Sequence, residues 1–268
     1  MLLIAVLAAG FAAGFAGGLF GIGGGIVTVP ALYAVFTALG AGEDPSLKAA
    51  IGTSLSIIIV TSLRALMTHH AAGHVDLKLL RAWAPWIAAG AAAGGLASKA
   101  VPAEFLSIVF AGGAFYVAFH RLFGRGRSGR GFASDLTEKS VHIPVGLGTG
   151  LFSSLMGLGG GAVGVLVMTW SGRSIHRAIA TASGFGMAVA IPGATGFIIA
   201  GFGHADLPPG SFGFVNLPAF IVMAAMTAIA APLGARLAHR VEGALLSKLF
   251  GAYAGLAALA ILWDVFAG

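Results

Sequence analysis

GGLFGIGGGIV, at residues 17–27, and SSLMGLGGGAV, at residues 153–163, are two copies of one apolar, glycine-rich pattern. Leucine, valine and glycine fall at matching positions in both copies, and each copy contains three consecutive glycines. A shorter match follows downstream, between GHVDL at 73–77 and GHADL at 203–207. The chain is therefore built from two related halves, each opening with an apolar segment that glycines interrupt.

The composition identifies a lipid bilayer as the solvent of this chain. Of its 268 residues, 58% are hydrophobic and only 9% are charged, and the mean hydropathy is +0.96. Soluble domains carry roughly 25% charged residues. The net charge of +6 is concentrated in short connections, so it indicates membrane orientation and excludes a nucleic-acid-binding face. Because the chain has no cysteine, disulfides, thiol nucleophiles and thiolate metal sites are excluded.

The apolar runs predict two sets of membrane helices around a central polar stretch. The runs cover residues 2–20, 22–39, 49–70, 82–98 and 104–120, then 141–156, 158–171, 178–202, 214–235 and 243–266. We expect a first membrane repeat at 1–122, a basic cytoplasmic linker at 123–140 and a second membrane repeat at 141–268. A spanning helix needs roughly 20 residues, and the first two runs of each half are short. Each short pair is expected to meet at its glycines, either spanning or re-entering the membrane, before three spanning helices.

The distribution of basic residues predicts the orientation, because cytoplasmic connections are enriched in lysine and arginine. The connections assigned to the cytoplasm carry Lys78, Arg81, Arg121, Arg125, Arg127, Arg130, Lys139, Arg173, Arg177, Arg236 and Arg240, whereas Lys48 and Lys99 fall outside. Both termini are then outside, and each half crosses an odd net number of times. The prediction is an all-α integral membrane protein of two inverted-topology repeats. Broken helices at matching places in such repeats are typical of secondary transporters.

Two interpretations of the glycines are open. Glycines repeat every four positions at Gly10, Gly14 and Gly18, and such ladders allow close helix packing. The two triplets indicate more, because three glycines weaken a helix by roughly 1 kcal/mol each relative to alanine. A helix that restarts there presents unpaired N–H groups and about half a positive charge, so two such ends would form an anion site without a metal. The candidate substrate-binding glycines are Gly23, Gly24, Gly25, Gly159, Gly160 and Gly161.

Hydroxyl side chains are the main polar groups inside the apolar runs. They include Thr53, Ser54, Ser56, Thr61, Ser62, Ser153, Ser154, Thr181, Ser183 and Thr195. Most serines and threonines in membranes bond to their own helix or to a neighbour. Hydroxyls at equivalent places in the two halves would also bind an oxyanion without adding charge. On that basis, and from proximity to the second triplet, the further candidates are Thr53, Ser54, Ser153, Ser154 and Thr181.

Arg64 lies inside the run 49–70, toward its cytoplasmic end. A charged side chain in a membrane segment is costly and usually functional, so Arg64 is a further candidate for substrate binding. Snorkelling to the cytoplasmic interface is the alternative. His69, His70 and His74 follow it, and their spacing does not match a zinc site. We interpret them as interfacial histidines, which titrate near neutral pH.

Several of these stretches together resemble a known family. They are GFAGGLFGIGGGIVTVPAL (14–32), AIGTS (50–54), GHVDL (73–77) and GLFSSLMGLGGGAV (150–163), and they resemble the TauE/SafE family of membrane permeases, the sulfite exporter family. The resemblance implies a permease of the bacterial cytoplasmic membrane that exports small anions such as sulfite or organosulfonates. The second half departs from the pattern, with Ala180-Thr181-Ala182 where the first half has Gly52-Thr53-Ser54, and Leu166 where it has Pro30.

The leading hypothesis from the sequence is a secondary transporter that works by alternating access around an anion site at the membrane midplane. An inside-negative potential favours anion export by about 2.3 kcal/mol per charge per 100 mV, so no coupled ion is required. We expect a small inorganic or organic sulfur anion as substrate, no enzymatic activity, no cofactor and no metal. The alternatives are a non-transporting membrane scaffold that docks a partner through 121–140, and an intramembrane serine enzyme using Ser153 or Ser154 with His142 or His176.

Overall fold

The computed structural model of the chain is almost entirely helical in the residues that it describes, which are 2–122, 136, 138–204, 206–246, 248, 249, 251, 252, 255, 256 and 259. Most of the predicted linker at 123–140 and most of the last predicted run at 243–266 lie outside these residues. The helices are α1 (Leu2–Phe20), α2 (Gly25–Ala38), α3 (Glu43–Ala71), α4 (Leu77–Ala97), α5 (Ala103–Leu122), α6 (Lys139–Leu155), α7 (Gly161–Trp170), α8 (Ile175–Gly201) and α9 (Leu217–Ala238).

The predicted division into glycine-broken helix pairs and longer helices is confirmed. α1 and α2 are separated only by residues 21–24, and α6 and α7 only by residues 156–160. α3 begins earlier than the run 49–70 predicted. Glu43 and Asp44 lie in its first turn, where carboxylates stabilise the positive end of a helix, and Asp44 pairs with Lys48 at 3.0 Å one turn later.

A short β-hairpin between α8 and α9 is a feature that the hydropathy pattern did not predict. Strand β1 (Ser211–Phe212) pairs antiparallel with strand β2 (Val215–Asn216). Strands of two residues are too short to show the alternation of apolar and polar residues that marks a strand in sequence. The predicted run 214–235 therefore begins inside the hairpin, and the helix itself starts at Leu217.

The helices of each half pack against those of the other. α3 and α8 lie against each other, α1 packs along α9, and α6 packs along α4. The closest approaches occur at glycines: a Cβ atom at Gly18 would fall on the carbonyl oxygen of Ala231, and one at Gly150 on that of Ile87. For these two glycines, the interpretation as contacts of close helix packing is correct.

The connections predicted to be cytoplasmic lie together at one end of the helix bundle. Asp76, before α4, forms an ion pair with Arg173, before α8. The Thr181 hydroxyl accepts a hydrogen bond from the Asp76 N–H at 3.0 Å. His69, in the last turn of α3, has its Nδ1 atom 3.0 Å from Nε2 of His239, which follows α9.

The connections predicted to be external meet at the opposite end. Asp44, at the start of α3, lies 3.9 Å from Nε2 of His204, in the connection between α8 and α9. The Nζ atom of Lys48 lies 5.9 Å from the ring centre of Phe214. α3 therefore begins at this end, whereas α8 begins at the other.

The outer surface is apolar and fits a bilayer. Among the described residues, the helices that are both long and apolar enough to cross a membrane are α3, α8 and α9. Large apolar side chains lie on outward faces, as do Ile221 and Ile229 on α9, whose exposed fractions are 65% and 60%. α4 and α5 are 21 and 20 residues long and remain predicted spans. The protein is thus a helical membrane protein, as its composition predicts.

Candidate functional site

Each short helix pair is interrupted by a turn whose last residue is a glycine in the left-handed region. Gly24 precedes α2 with a φ angle of 82°, and Gly160 precedes α7 with a φ angle of 67°. Only glycine adopts such angles without a steric penalty. A Cβ atom at Gly24 would in addition fall on the carbonyl oxygen of Ala13. The third glycine of each triplet, Gly25 or Gly161, then begins the new helix.

The two turns contact each other, and the contacts are reciprocal. The Gly159 N–H donates to the carbonyl oxygen of Ile22 at 3.2 Å. A Cβ atom at Gly25 would fall on the carbonyl oxygen of Gly157, and one at Gly161 would fall on that of Gly21. Gly21 and Gly157 are equivalent in the two copies, as are Gly25 and Gly161. The turns therefore meet through one pair of equivalent contacts, which brings together both glycine triplets and the starts of α2 and α7.

This arrangement places two helix N-termini next to each other inside the protein. Ile22, in the first turn, has no exposed surface, and Leu158, in the second, is only 4% exposed. The first turn of each helix has N–H groups without a partner inside that helix, and each helix contributes about half a positive charge at its start. Because both charges lie in an apolar interior, the arrangement favours an anion and needs no metal to do so.

Two buried hydroxyl groups without a hydrogen-bond partner flank the second turn. Ser62 is 1% exposed and Thr149 is 3% exposed, and the Oγ atom of the first and the Oγ1 atom of the second are both unpaired. The methyl group of Thr149 lies beside the Cβ position of Gly160, at 3.7 Å. The Ser62 hydroxyl points at Gly186, whose backbone packs on Gly159. An unpaired buried hydroxyl costs about 1–3 kcal/mol, so this pair indicates a ligand or bound water.

Sequence reasoning did not select Ser62 or Thr149 as site residues. It selected hydroxyls at equivalent places in both halves and the two serines beside the second triplet, whereas the places equivalent to Thr149 and Ser62 are occupied by Ala13 and Ala190. The two hydroxyls thus make the second turn more polar than the first. Their proximity to that turn depends on how α3, α6 and α8 pack, and no sequence pattern carries that information.

The predicted site residue Ser54 contacts the second turn directly. Its Oγ atom donates to the carbonyl oxygen of Gly157 at 3.0 Å in a buried hydrogen bond. Ser54 therefore holds in place the carbonyl that faces Gly25. The equivalent residue in the second half is Ala182, so the first turn has no matching hydroxyl contact.

The predicted site residues Thr53 and Thr181 lie at opposite ends of the bundle. The Thr53 hydroxyl accepts from the N–H of Asn216 at 2.8 Å, and the Thr181 hydroxyl accepts from the N–H of Asp76 at 3.0 Å. Asn216 caps α9 and Asp76 caps α4. Each threonine thus anchors the start of a helix from the other half, and the structure does not bring the two together.

These caps also revise the register of the repeat. The sequence aligns GHVDL at 73–77 with GHADL at 203–207, which makes Asp206 the counterpart of Asp76. In the structure Asn216 takes that place, because Asn216 caps α9 as Asp76 caps α4. The β-hairpin is an insertion in the second half, and its presence explains the displaced match.

The remaining predicted serines lie on α6, near the second turn. Ser154 is fully buried and donates to the carbonyl oxygen of Leu151 at 3.0 Å. Ser153 lines an otherwise largely apolar cavity of about 460 Å³ between α5, α6 and α7. Ile26 and Ala162, the second residues of α2 and α7, also line it, so the cavity extends to both helix starts.

Arg64 lies on an exposed part of α3, and its Nε atom donates to the carbonyl oxygen of Ala228 on α9 at 3.2 Å. Asp76, by contrast, is held in its charged form at the end of the bundle. Burial opposes its ionisation, but the N–H of Leu79 and the guanidinium of Arg173 outweigh burial and lower the pKa of Asp76. Neither group contacts the glycine turns through these bonds.

Comparisons with known proteins place the chain among membrane transporters. The family model described as sulfite exporter TauE/SafE matches residues 6–261. A probable membrane transporter protein of Haemophilus influenzae is 30% identical over 235 residues, which is 88% of each chain. A probable membrane transporter protein of Methanocaldococcus jannaschii is 24% identical over 268 residues, covering 98% of this chain and 96% of that protein.

The Bacillus subtilis protein YunE, also a probable membrane transporter protein, is 30% identical over 186 residues, covering 63% of this chain and 67% of its own. No solved structure matches the chain. The family match spans both glycine turns and nearly all of the sequence. The chain therefore belongs to the sulfite exporter TauE/SafE family of membrane transporters.

Proposed function

We propose that this protein is a secondary transporter that exports small sulfur-containing anions, such as sulfite or organosulfonates, across the bacterial cytoplasmic membrane. The observation that carries the proposal is the reciprocal contact of the two glycine turns, which joins two helix N-termini in the protein interior. A dianionic or monoanionic oxyanion is the ligand that such a place favours. The family match supports a sulfur oxyanion as the substrate class.

The anion is bound by backbone N–H groups in the first turns of α2 and α7 and by the hydroxyls of Ser62 and Thr149. These hydroxyls are buried and unpaired, so an oxyanion that accepts a hydrogen bond from one of them removes the cost of leaving that hydroxyl unpaired. Ser54, Thr53 and Thr181 act as positioning residues, because each is bonded to backbone of the other half. Arg64, Ser153 and Ser154 remain predicted substrate-binding residues, and Ser153 lines the cavity beside the turns.

The packing of the halves supports alternating access. α3 and α8 are counterparts that begin at opposite ends of the bundle, as the contacts of Asp44 and of Asp76 indicate. α1 packs along α9, and their counterparts in the other half, α6 and α4, pack along each other in the same way. Both relations are those expected of inverted repeats, in which one repeat rocks against the other around a fixed site.

Flux of radiolabelled sulfite and of a panel of sulfonates into proteoliposomes tests the proposal. We expect saturable, voltage-sensitive flux in the wild type. Ser62→Ala and Thr149→Val each remove a hydrogen bond to a charged ligand, which contributes about 1.5–3 kcal/mol. Each variant should therefore weaken anion binding about 10- to 100-fold, seen as a higher KM.

Matched controls separate loss of binding from loss of fold. Ser56→Ala removes a buried hydroxyl from the same helix as Ser62, but that hydroxyl is bonded to the carbonyl of Gly52. Thr227→Val does the same on α9, where the hydroxyl is bonded to Ala224. Both controls should keep the wild-type KM. Absence of flux for every sulfur anion in correctly folded wild-type protein, or an unchanged KM in both test variants, would overturn the proposal.

A further inference from the structure

Three histidine rings form a continuous row from the protein surface to its interior. His74 is exposed, His239 is half-buried, and His69 has no exposed surface. The ring of His74 stacks on that of His239 with centroids 4.6 Å apart. Nε2 of His239 lies 3.0 Å from Nδ1 of His69. The row joins the end of α9 to the end of α3.

The hydrogen bonds of the row determine where its hydrogens lie. Nε2 of His69 is 3.2 Å from the carbonyl oxygen of Gly18, and a carbonyl can only accept, so this nitrogen carries a hydrogen. In the neutral ring Nδ1 of His69 then has a lone pair and accepts from Nε2–H of His239. Nδ1 of His239 is consequently the basic nitrogen, and it is buried without a hydrogen-bond partner.

The surroundings of this nitrogen disfavour its protonation. Burial lowers the pKa of His239 first of all, and the rings of His74 and His176 lower it further. His176 is the titratable group that α8 contributes, and its Nε2 lies 3.1 Å from the carbonyl oxygen of Val241. α1 contributes only the backbone carbonyl of Gly18 to the row. Protonation therefore requires acidification or a nearby negative charge.

The row ends on the helix that leads into the first glycine turn. Gly18 is in the last turn of α1, and a Cβ atom there would fall on the carbonyl oxygen of Ala231 in α9. A proton on His239 strengthens the bonds from His239 to His69 and from His69 to Gly18, because charged donors form stronger hydrogen bonds. The proton thus tightens the junction of α1, α3 and α9 beside the turn.

We propose that the His69–His239 pair is a proton-binding site whose occupancy is linked to anion binding at the glycine turns. This inference rests on the proposed anion transport. The linkage is positive, because a cation on the pair and an anion at the turns attract each other. By reciprocity, the anion then favours protonation as much as the proton favours anion binding.

The first measurement is the titration of each histidine by NMR on purified protein labelled with 15N-histidine. Without any anion, His239 should take up its proton at Nδ1, and sulfite should move that uptake to higher pH. His239→Gln keeps an amide N–H that can donate to His69 but removes the titrating nitrogen. His70→Gln, an exposed neighbour in the same turn of α3 as His69, is the matched control.

The second measurement is sulfite flux in proteoliposomes as a function of pH. Above the pKa of a single site, its protonated fraction rises about tenfold for each unit by which the pH falls. Flux in the wild type and in His70→Gln should therefore rise steeply on acidification. His239→Gln should keep measurable flux and lose most of that rise. Flux that is equally pH-dependent in His239→Gln, or a His239 ring whose titration ignores sulfite, refutes the linkage.

Failure of the two proposals gives different results. If flux is absent and His239 takes up its proton at a pH that sulfite does not change, anion transport and the linkage are both contradicted, but the proton site stays in place. Normal flux with a His239 that never takes up a proton in the stable range of the protein would contradict the proton site alone.

Discussion

Alanine at Gly25 tests the contact between the two glycine turns. Gly25 begins α2 and is not among the glycines with a positive φ angle, so the backbone itself accepts alanine there. In a helix without tertiary contacts, the change would be favourable by up to about 1 kcal/mol. In this structure the new methyl group would fall on the carbonyl oxygen of Gly157.

The magnitude follows from how firmly that carbonyl is held. Overpacking a tight interior costs about 1–3 kcal/mol, and the upper part of that range applies where the neighbour cannot move. The Gly157 carbonyl is backbone and accepts a hydrogen bond from Ser54 at 3.0 Å. We therefore expect Gly25→Ala to lower the free energy of unfolding by about 2 kcal/mol and to abolish flux. Gly161→Ala meets the backbone carbonyl of Gly21 in the equivalent contact, and we expect a loss of similar size.

Unfolding in a mixed detergent series, with flux measured on the same preparations, is the assay. Gly148 is the matched control, because it lies inside α6 with open space around its Cβ position. Gly148→Ala should stabilise the protein by up to about 1 kcal/mol and leave flux unchanged. If Gly25→Ala stabilises the protein as Gly148→Ala does, the two turns do not meet as described.

Three further predictions concern the ends of the bundle and its outer face. Thr53→Val leaves a buried N–H without its acceptor, and we expect a loss of about 1–3 kcal/mol in unfolding free energy by the same detergent series. The lowered pKa of Asp76 means that its contribution to stability is complete above the ordinary value of 3.8 and is lost as the pH falls through the lower folded value. Asp76→Asn removes the charge facing Arg173. The free energy of unfolding of this variant should therefore fall less steeply than that of the wild type as the pH drops below about 4, measured by unfolding at a series of acid pH values. Arg64→Ala should reduce flux less than Ser62→Ala, because the guanidinium is exposed and bonded to α9; an equal or larger loss would contradict this order.

The glycine turns could be predicted from sequence because one residue type carries both the helix break and the close contact. A triplet of glycines both weakens a helix and permits the φ angles of Gly24 and Gly160. The repeat then indicated that two such breaks belong together. For the described helices, segment positions followed from hydropathy in the same way; the differences are at helix ends, such as the early start of α3 at Glu43, and at the β-hairpin between α8 and α9.

The polar part of the site could not be predicted, because it depends on burial and on differences between the halves. Ser62 and Thr149 have alanine at the equivalent positions, so a search for symmetric hydroxyls passes over them. Thr53 and Thr181 satisfy that search, yet each accepts a hydrogen bond from the cap residue of a helix, at opposite ends of the bundle. The hydroxyls found at equivalent places in both halves hold helices together, whereas each of the unpaired hydroxyls occurs in one half only.

The packing of α1 along α9 has a consequence for how the protein is made. Of the described helices, α1 is synthesised before the others, and its main partner, α9, begins only at Leu217. At about 5–20 residues per second, translation delivers that partner on the order of ten seconds or more after α1. During that interval the backbone groove at Gly14 and Gly18, which later receives α9, has only lipid or the insertion machinery against it. Assembly of this protein in the membrane therefore requires α1 to remain without its main partner until α2 to α8 have been synthesised.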